Sequence, residues 1–537
     1  MEPCGESRQG LVGSITGSKR RMDRQANISR LEREEIWDII IIGGGATGLG
    51  VAVDAASRGY KTLLLERDDF AKGTSSRSTK LVHGGVRYLA QGNIKLVREA
   101  LRERGLLLHN APHLTRRQEF IVPGYTWWSR PFYGIGLKIY DLMASKLGIG
   151  KTRLLSKEEV LGLLPHAEPR GLRGGISYFD GQFDDARLAV CLARTASGQG
   201  AVLLNHVAVQ GLTREGKKVN GVIARDEFSD RTWTLRARAI VNATGVFADD
   251  ILHMDDPGTQ PIVAPSQGVH VVLEKKFFPG TAALMIPSTS DGRVLFAVPW
   301  HDRVIVGTTD TPVEKTASEP RALSEELEFI IRHFNKYMTT DVTLADVRSV
   351  FAGLRPLVKA PNAKKTSLLS RDHTIIVSST GLITITGGKW TTYRRMAKDT
   401  TDNAAFVGKL EKRPCVTEEL KLAGWTDKTD GEPLAIYGAD AERIRAMISD
   451  KPQWGERIHP TLPDLMAEVA WAVREEMACT VEDVLARRTR ILFLDARAAM
   501  EAAPRVADMM ADLLGKDEAW KGGQVREFTE LARGYLP

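Results

Sequence analysis

The run Trp37 to Ile42 (WDIIII) is apolar at every position but one, and GGGATG and an alanine-rich stretch to about Arg58 follow it directly. A short apolar run bounded by glycine reads as a strand buried on both faces, and the stretch behind it as a helix. A second run, KTLLLE, ends at Glu66. Together they predict a strand–turn–helix–strand unit of about thirty residues. A polar loop, RDDFAKGTSSRSTKLVHGG, comes next, then helical spacing from about Leu89 to His109 and an aromatic, basic, amphipathic segment from Tyr125 to Leu147. Strand patterns dominate from Gly171 to Asp310, with AVLLNHVAV, RAIVNATG, VHVVLE and RVIVGTTD as the clearest. Ser324 to Tyr337 has helical spacing, HTIIVSS and LITITGG read as strands, and a helix begins near Lys389. After Pro414 the character changes, and Thr461 to Gly515 is helix-patterned almost throughout. No internal repeat or low-complexity block interrupts this order.

Length and composition narrow the class. The 537 residues exceed a single core, and 43% hydrophobic with 26% charged residues excludes a largely disordered, collagenous or coiled-coil chain. Cys4, Cys191, Cys415 and Cys479 lie far apart without CxxC or HExxH spacing, so neither a disulfide framework nor a metal site is expected, and a reducing compartment fits better. The net charge of +7 permits contact with anionic surfaces or substrates. The longest apolar stretch, Ile39 to Val53, is too short and too rich in glycine to span a bilayer. The first 36 residues contain no apolar signal core; Met1 to Arg21 reads as a flexible tail, with Met22 a candidate start.

Gly43-x-Gly45-x-x-Gly48 sits between a strand and a helix. Such glycines permit a tight turn, close approach of backbone to a pyrophosphate and tight helix–strand packing, and the helix start offers amide donors. Glu66, at the end of the next strand, can accept both ribose hydroxyls and disfavours a 2′-phosphate, which argues against NADP. This fingerprint does not separate NAD from FAD. Two later features favour FAD: a strand ending in Ala243-Thr244-Gly245, similar to the second signature of two-dinucleotide-binding flavoproteins, and Gly387-Gly388-Lys389, which opens a late helix whose positive end can stabilise reduced flavin.

Four segments together make the resemblance specific. Thr74 to Leu89 (TSSRSTKLVHGGVRYL), Ala352-Gly353-Leu354-Arg355-Pro356, Ser370-Arg371-Asp372 and Gly387 to Arg394 (GGKWTTYR) closely resemble the FAD-dependent, quinone-linked glycerol-3-phosphate dehydrogenases of the aerobic type, over roughly Trp37 to Ala499. The resemblance implies an α/β fold: a Rossmann-like FAD-binding domain interleaved with an antiparallel-sheet substrate domain, plus a C-terminal α-helical domain. On that reading residues 1–36 form a tail; 37–110, 171–260 and 371–405 the FAD-binding domain; 111–170 and 261–370 a substrate and membrane-facing domain; and 415–537 the helical domain. It implies FAD contacts from Thr74, Ser75, Ser78, His83, Gly84, the Val207 backbone, Lys389 and Thr391, alongside the glycines, Glu66 and Ala243 to Gly245. It implies glycerol 3-phosphate bound by Arg87, Tyr88, His270, Arg355, Arg371 and Lys389, oxidised to dihydroxyacetone phosphate with electrons passing to membrane quinone. The expected setting is cytoplasmic and peripheral, on the inner face of the cell membrane, as a homodimer. The alternatives are a glycerophosphate oxidase that reduces oxygen to peroxide, disfavoured because the chain looks too short for that group's insertion, and a non-catalytic flavin-binding redox sensor.

The residues make chemical sense by themselves. A phosphomonoester in a partly dry pocket needs fixed cations, and arginine forks match its oxygens. Lys389 at a helix start opposes the helix dipole, which points to a functional use. Oxidation of a secondary alcohol needs a base, and histidine serves near neutral pH. His83, beside two glycines that let its loop come close to a ring, is favoured slightly over His270 in QGVHVVLE, with Arg355 and Lys389 completing the catalytic set. Trp127, Trp128, Arg130, Phe132 and Tyr133, followed by Lys138 and Lys146, form the candidate membrane segment. No nucleic-acid-binding module is present, and charge is spread along the chain.

Overall fold

Because side chains alternate across a strand, the isoleucines of Trp37–Ile42 serve two cores at once. Ile39 and Ile41 pack against the helices Ala46–Ser57, Asp185–Gly198 and Tyr393–Val407. Ile40 and Ile42 face a second cluster built with Val207, Val222 and Leu235. This strand lies in the middle of a parallel sheet, between Thr62–Leu65 and Thr232–Asn242, with Val202–Leu204 and the pair His373–Val377 and Ile383–Gly387 outside them. Coverage on both faces explains why these strands read as unbroken apolar runs. The computed structural model describes residues 22–85, 93–127, 129–144, 147–359, 373–428 and 434–537.

Thr232–Asn242 does double duty. Its first half pairs antiparallel with Lys218–Asp226, which pairs in turn with Val207–Glu215; its second half runs parallel to the central strand. A second, larger sheet is mostly antiparallel, built around Val263–Glu274, which is registered along its length with Val347–Val358 and also pairs with Arg303–Gly307. The helix Ser324–Asn335 covers one face of it through Leu327, Ile330 and Phe334. The helices Met466–Glu475, Ala496–Leu514 and Glu518–Arg533 form a C-terminal unit whose core takes in Val272, Trp300, Ile305 and Phe351 from this sheet.

Two sequence boundaries shift. Gly175–Phe183, read as part of the FAD-binding domain, pairs with Thr115–Pro123 and belongs to the second sheet. Its partner strand, distant in sequence, decides its membership. Residues 24–33, read as tail, form a helix capped by Asp23, with Ile28 and Leu31 buried and Arg24 paired to Asp226. The rest of the tail, residues 1–21, lies outside the described residues.

The units meet over buried ion pairs. Arg187 grips Glu476 bidentately at 2.6 and 2.7 Å, with both side chains fully buried. Burial opposes ionisation of Glu476, but Arg187 overcomes it and holds the carboxyl down at about 2. A carboxylate depressed in the folded state stabilises above its unfolded pKa, and that contribution is lost as pH falls through the folded value. Glu476→Gln is therefore expected to cost about 3–5 kcal/mol at neutral pH by leaving Arg187 buried and uncompensated. Thermal unfolding of the two proteins at a series of pH values should show the gap narrowing as pH drops below the ordinary glutamate value of 4.5 towards about 2.

Candidate active site

Three strand ends converge at one edge of the parallel sheet. The Gly43 N–H donates to Leu65 O at 2.8 Å and the Ala243 N–H to Ile42 O at 2.9 Å, so the glycine turn, Glu66 and the Ala243-Thr244-Gly245 segment come together. Gly43 has φ of +106°, and a Cβ there would sit 2.8 Å from Ala243 O. A side chain at Gly48 would strike the Gly43 carbonyl. Gly45 is different: a Cβ would approach only Ser75 Oγ, at 3.1 Å, and otherwise point into the cleft. The cleft wall carries Gly43, Gly45, Glu66, Thr74, Ser75, Ala243, Thr244, Gly245, Gly388 and Lys389. The Ser75 hydroxyl accepts from the Ala46 N–H at 2.9 Å, which ties the loop to the helix start. Glu66 accepts from Gly44 N–H at 2.6 Å and Asp68 N–H at 2.8 Å, while enclosure and the Asp68 charge raise its carboxyl above the usual range.

This cleft opens into a second cavity of about 340 Å3. Thr74, Pro356, Gly387, Gly388, Lys389 and Trp390 line both, so the start of the late helix forms the shared wall. That wall is pinned to the polar loop: Trp390 Nε1 donates to Ser75 O at 2.9 Å, and Thr391 Oγ1 accepts from the His83 N–H at 3.1 Å. Around the second cavity stand His83, His270 and Arg355, with Thr79, Asp180, Arg293 and Asp310 among their neighbours. Arg355 is aimed by acceptors at 2.9–3.2 Å: Gln267 O, Asp310 Oδ1, Thr308 Oγ1 and Thr309 O. His270 is 2% exposed and stacked on Phe351 at 4.8 Å. Burial first, then the charges of Lys80 and Arg355, push it well below its ordinary value, so the ring is neutral.

Sequence and structure diverge at several positions. Val207 is fully buried, its N–H donates to Glu66 O, and Val209 stands in the cleft wall instead. Ser78 lines the second cavity, and its hydroxyl donates to Asp185 at 2.7 Å. Gly84 packs under Tyr140, whose hydroxyl accepts its N–H at 2.7 Å. Arg87, Tyr88 and Arg371 lie outside the described residues. Thr79, Arg293, Asp180 and Asp310 were not singled out by sequence. Nothing in their local spacing marks them, and only the meeting of the polar loop with the second sheet brings them together. Among the described residues His206, Cys479 and Asp483 cluster at ligand distance, with Asp483 accepting from the Thr480 hydroxyl, the Cys479 N–H and Arg487.

Residues 38–394 match the family of FAD-dependent oxidoreductases, and residues 378–521 match the C-terminal domain of alpha-glycerophosphate oxidase. A probable mitochondrial glycerol-3-phosphate dehydrogenase of Caenorhabditis elegans is 42% identical, over 96% of this chain and 75% of that one. The mitochondrial glycerol-3-phosphate dehydrogenase of Arabidopsis thaliana is 39% identical, over 99% of this chain and 91% of that one. The crystal structure of the Bacillus halodurans glycerol-3-phosphate dehydrogenase complexed with FAD superposes with a TM-score of 0.79 at 29% identity, covering 96% of this chain and 98% of that one.

The cradle at Gly45, the amides of the helix start and the acid at the second strand end fit an FAD pyrophosphate and ribose. Gly45→Val fills that cradle, its Cβ meeting among protein atoms only the Ser75 hydroxyl, at 3.1 Å. The variant is expected to keep its far-ultraviolet circular dichroism and to purify without visible flavin absorbance; a yellow variant would show that the pyrophosphate binds elsewhere. With the glycine turn, the acid and the late helix start converging on one cleft, and with relatives of about 40% identity along nearly the whole chain, the protein belongs to the FAD-dependent glycerol-3-phosphate dehydrogenase family of the FAD-dependent oxidoreductases.

Proposed function

We propose that the protein oxidises the C2 hydroxyl of sn-glycerol 3-phosphate to give dihydroxyacetone phosphate and passes the electrons to membrane quinone. The observation that carries this reading is the set of cationic side chains on the cavity joined to the dinucleotide cleft. Its wall carries Arg293, Arg355 and Lys389 beside Asp180 and Asp310, with Arg77 tied to Glu319. Guanidinium and ammonium donors of this kind match the oxygens of a phosphomonoester, whereas a neutral polyol makes no use of their charge. Bound FAD supplies the hydride acceptor. The chain's own work is to bind the phosphate, hold the carbinol where the two cavities share the wall at Gly388 and Lys389, and remove the hydroxyl proton.

Both candidate bases stand on the wall. Of the two we take His270 as the base, because Phe351 and Thr79 fix its ring on the cavity wall. In anaerobic titration, glycerol 3-phosphate should bleach the flavin and glycerol should not. In rapid-reaction measurements His270→Ala should slow that bleaching at least about a hundredfold, and more than His83→Ala does; a wild-type rate in both variants would remove histidine base catalysis. Peroxide released in aerobic turnover would move the acceptor from quinone to oxygen.

The reading also places the protein peripherally on the membrane that holds its quinone. No described helix is long and apolar enough to cross a membrane. The helix Ser129–Ala144 buries Leu137 and Tyr140 but turns Lys138, Ile139 and Leu142 outward, and Leu142 and the preceding Trp127 are each 79% exposed. Beside them Lys95, Arg98, Arg102 and Arg395 line a groove with Met143 and Leu147. Exposed apolar groups next to cations suit an anionic headgroup layer. Trp128 and Lys146 lie outside the described residues, as do the side chains of Arg130, Phe132 and Tyr133. A homodimer through the C-terminal helices remains part of this proposal. Wild-type protein should co-sediment with phosphatidylglycerol-containing vesicles, and the double variant Trp127→Ala/Leu142→Asp should stay in solution while keeping its flavin absorbance. Equal sedimentation of the two would exclude this face.

A further inference from the structure

His270 is held on three sides. Phe351 stacks on one face with planes 16° apart, and Gly307 lies so close that a Cβ there would collide with the ring. The third hold is polar: Nε2 lies 2.9 Å from Thr79 Oγ1. Among the described residues the buried Nδ1 finds no hydrogen-bond partner, so Thr79 is the ring's polar anchor.

Thr79 is itself fixed from both neighbours by one buried carboxylate. Asp185 Oδ2 accepts from Ser78 N–H at 3.0 Å, from the Ser78 hydroxyl at 2.7 Å and from Lys80 Nζ at 2.7 Å. Its other oxygen accepts from Arg490 at 3.0 Å. Lys80 also donates to Ser76 O at 2.7 Å, and its ammonium lies 5.0–5.3 Å from the rings of Trp300, Phe351 and Phe493. Its backbone is left-handed, φ +62°, which turns the chain between Thr79 and the strand Leu81–Val82. The Thr79 hydroxyl therefore arrives at the ring from a loop that cannot swing.

We propose that Thr79 is a positioning residue for the reaction: its hydroxyl, presented by the Asp185-anchored loop, fixes the rotation of the His270 ring so that it meets the substrate hydroxyl in one orientation. This rests on the reading of His270 as the base. Removing a partner that orients a working histidine commonly costs 10–100-fold in comparable metal-bound cases. The substitution Thr79→Val keeps shape and volume and removes only the hydroxyl; Thr79→Ser keeps the hydroxyl.

The test is a double-mutant cycle on anaerobic flavin reduction by glycerol 3-phosphate, using the FAD-loaded protein. Thr79→Val is expected to slow reduction about tenfold with little change in the substrate concentration at half-saturation. Thr79→Ser should recover most of the rate. In a His270→Ala background Thr79→Val should cost nothing more, because there is no ring left to orient. An equal loss in both backgrounds, or a serine variant as slow as the valine variant, would overturn the positioning role and leave a packing effect. If His270→Ala reduces flavin at the wild-type rate, the base assignment falls and this inference falls with it. If His270→Ala is slow and Thr79→Val is not, the inference falls alone.

Discussion

The loop from Arg67 to Lys80 is the piece on which both cavities depend, and buried charge holds it in place. It has little regular structure beyond the short turn Thr74–Ser76, so its position comes from its partners. Asp69 is gripped by Arg487 and Arg488 at 2.6 Å, Arg77 by Glu319 at 2.8 Å, and Lys80 by Asp185 at 2.7 Å. The Asp69 and Lys80 pairs are fully or almost fully buried, and Arg77 is buried against a partly exposed Glu319. Such pairs give up hydration on both sides, so they add little net stability when whole and cost a great deal when one partner is lost. What they confer here is position. The C-terminal unit, which lines neither cavity, supplies Arg487, Arg488 and Arg490, and through them it sets where Thr74, Ser75 and Thr79 stand.

That arrangement also sets the electrostatics of the second cavity. Lys80 and Arg355 approach His270 from different elements, and both oppose its protonation. Arg355, on the cavity wall, therefore offers its charge to a phosphate and at the same time opposes the charging of the neighbouring imidazole. Arg355 is itself steadied by Asp310 and by main-chain oxygens, so its guanidinium is aimed before any substrate arrives. Fixed charge of this kind does not have to reorganise during reaction.

A second chain of contacts runs outward. The Tyr140 hydroxyl accepts from Gly84 N–H and donates to Asp180, which is held by Arg104 at 2.7 Å. Tyr140 belongs to the helix whose other face shows Ile139 and Leu142 to solvent. The helix that exposes Ile139 and Leu142 and the loop that carries His83 are thus joined by one hydroxyl group.

Local sequence determined a good deal. The glycine spacing after Trp37–Ile42, the acid at Glu66 and the alternation of Ile39 to Ile42 specify the strand–turn–helix–strand unit, because each is a short-range demand of backbone geometry or of period-two packing. The motifs that carry Arg355, Lys389, His83 and His270 stood out by resemblance; that these side chains line one cavity was not legible in them. Tertiary structure alone decided the rest. Gly175–Phe183 joins the second sheet because Thr115–Pro123 is there to pair with it. Val207 lies wholly in the core while Val209, two residues on and against the same cluster, reaches the cleft wall. Thr79 meets His270 only because Asp185, more than a hundred residues away, pins the loop between them. Contacts across such separations leave no period and no spacing in a sequence, so they are set only when the chain folds.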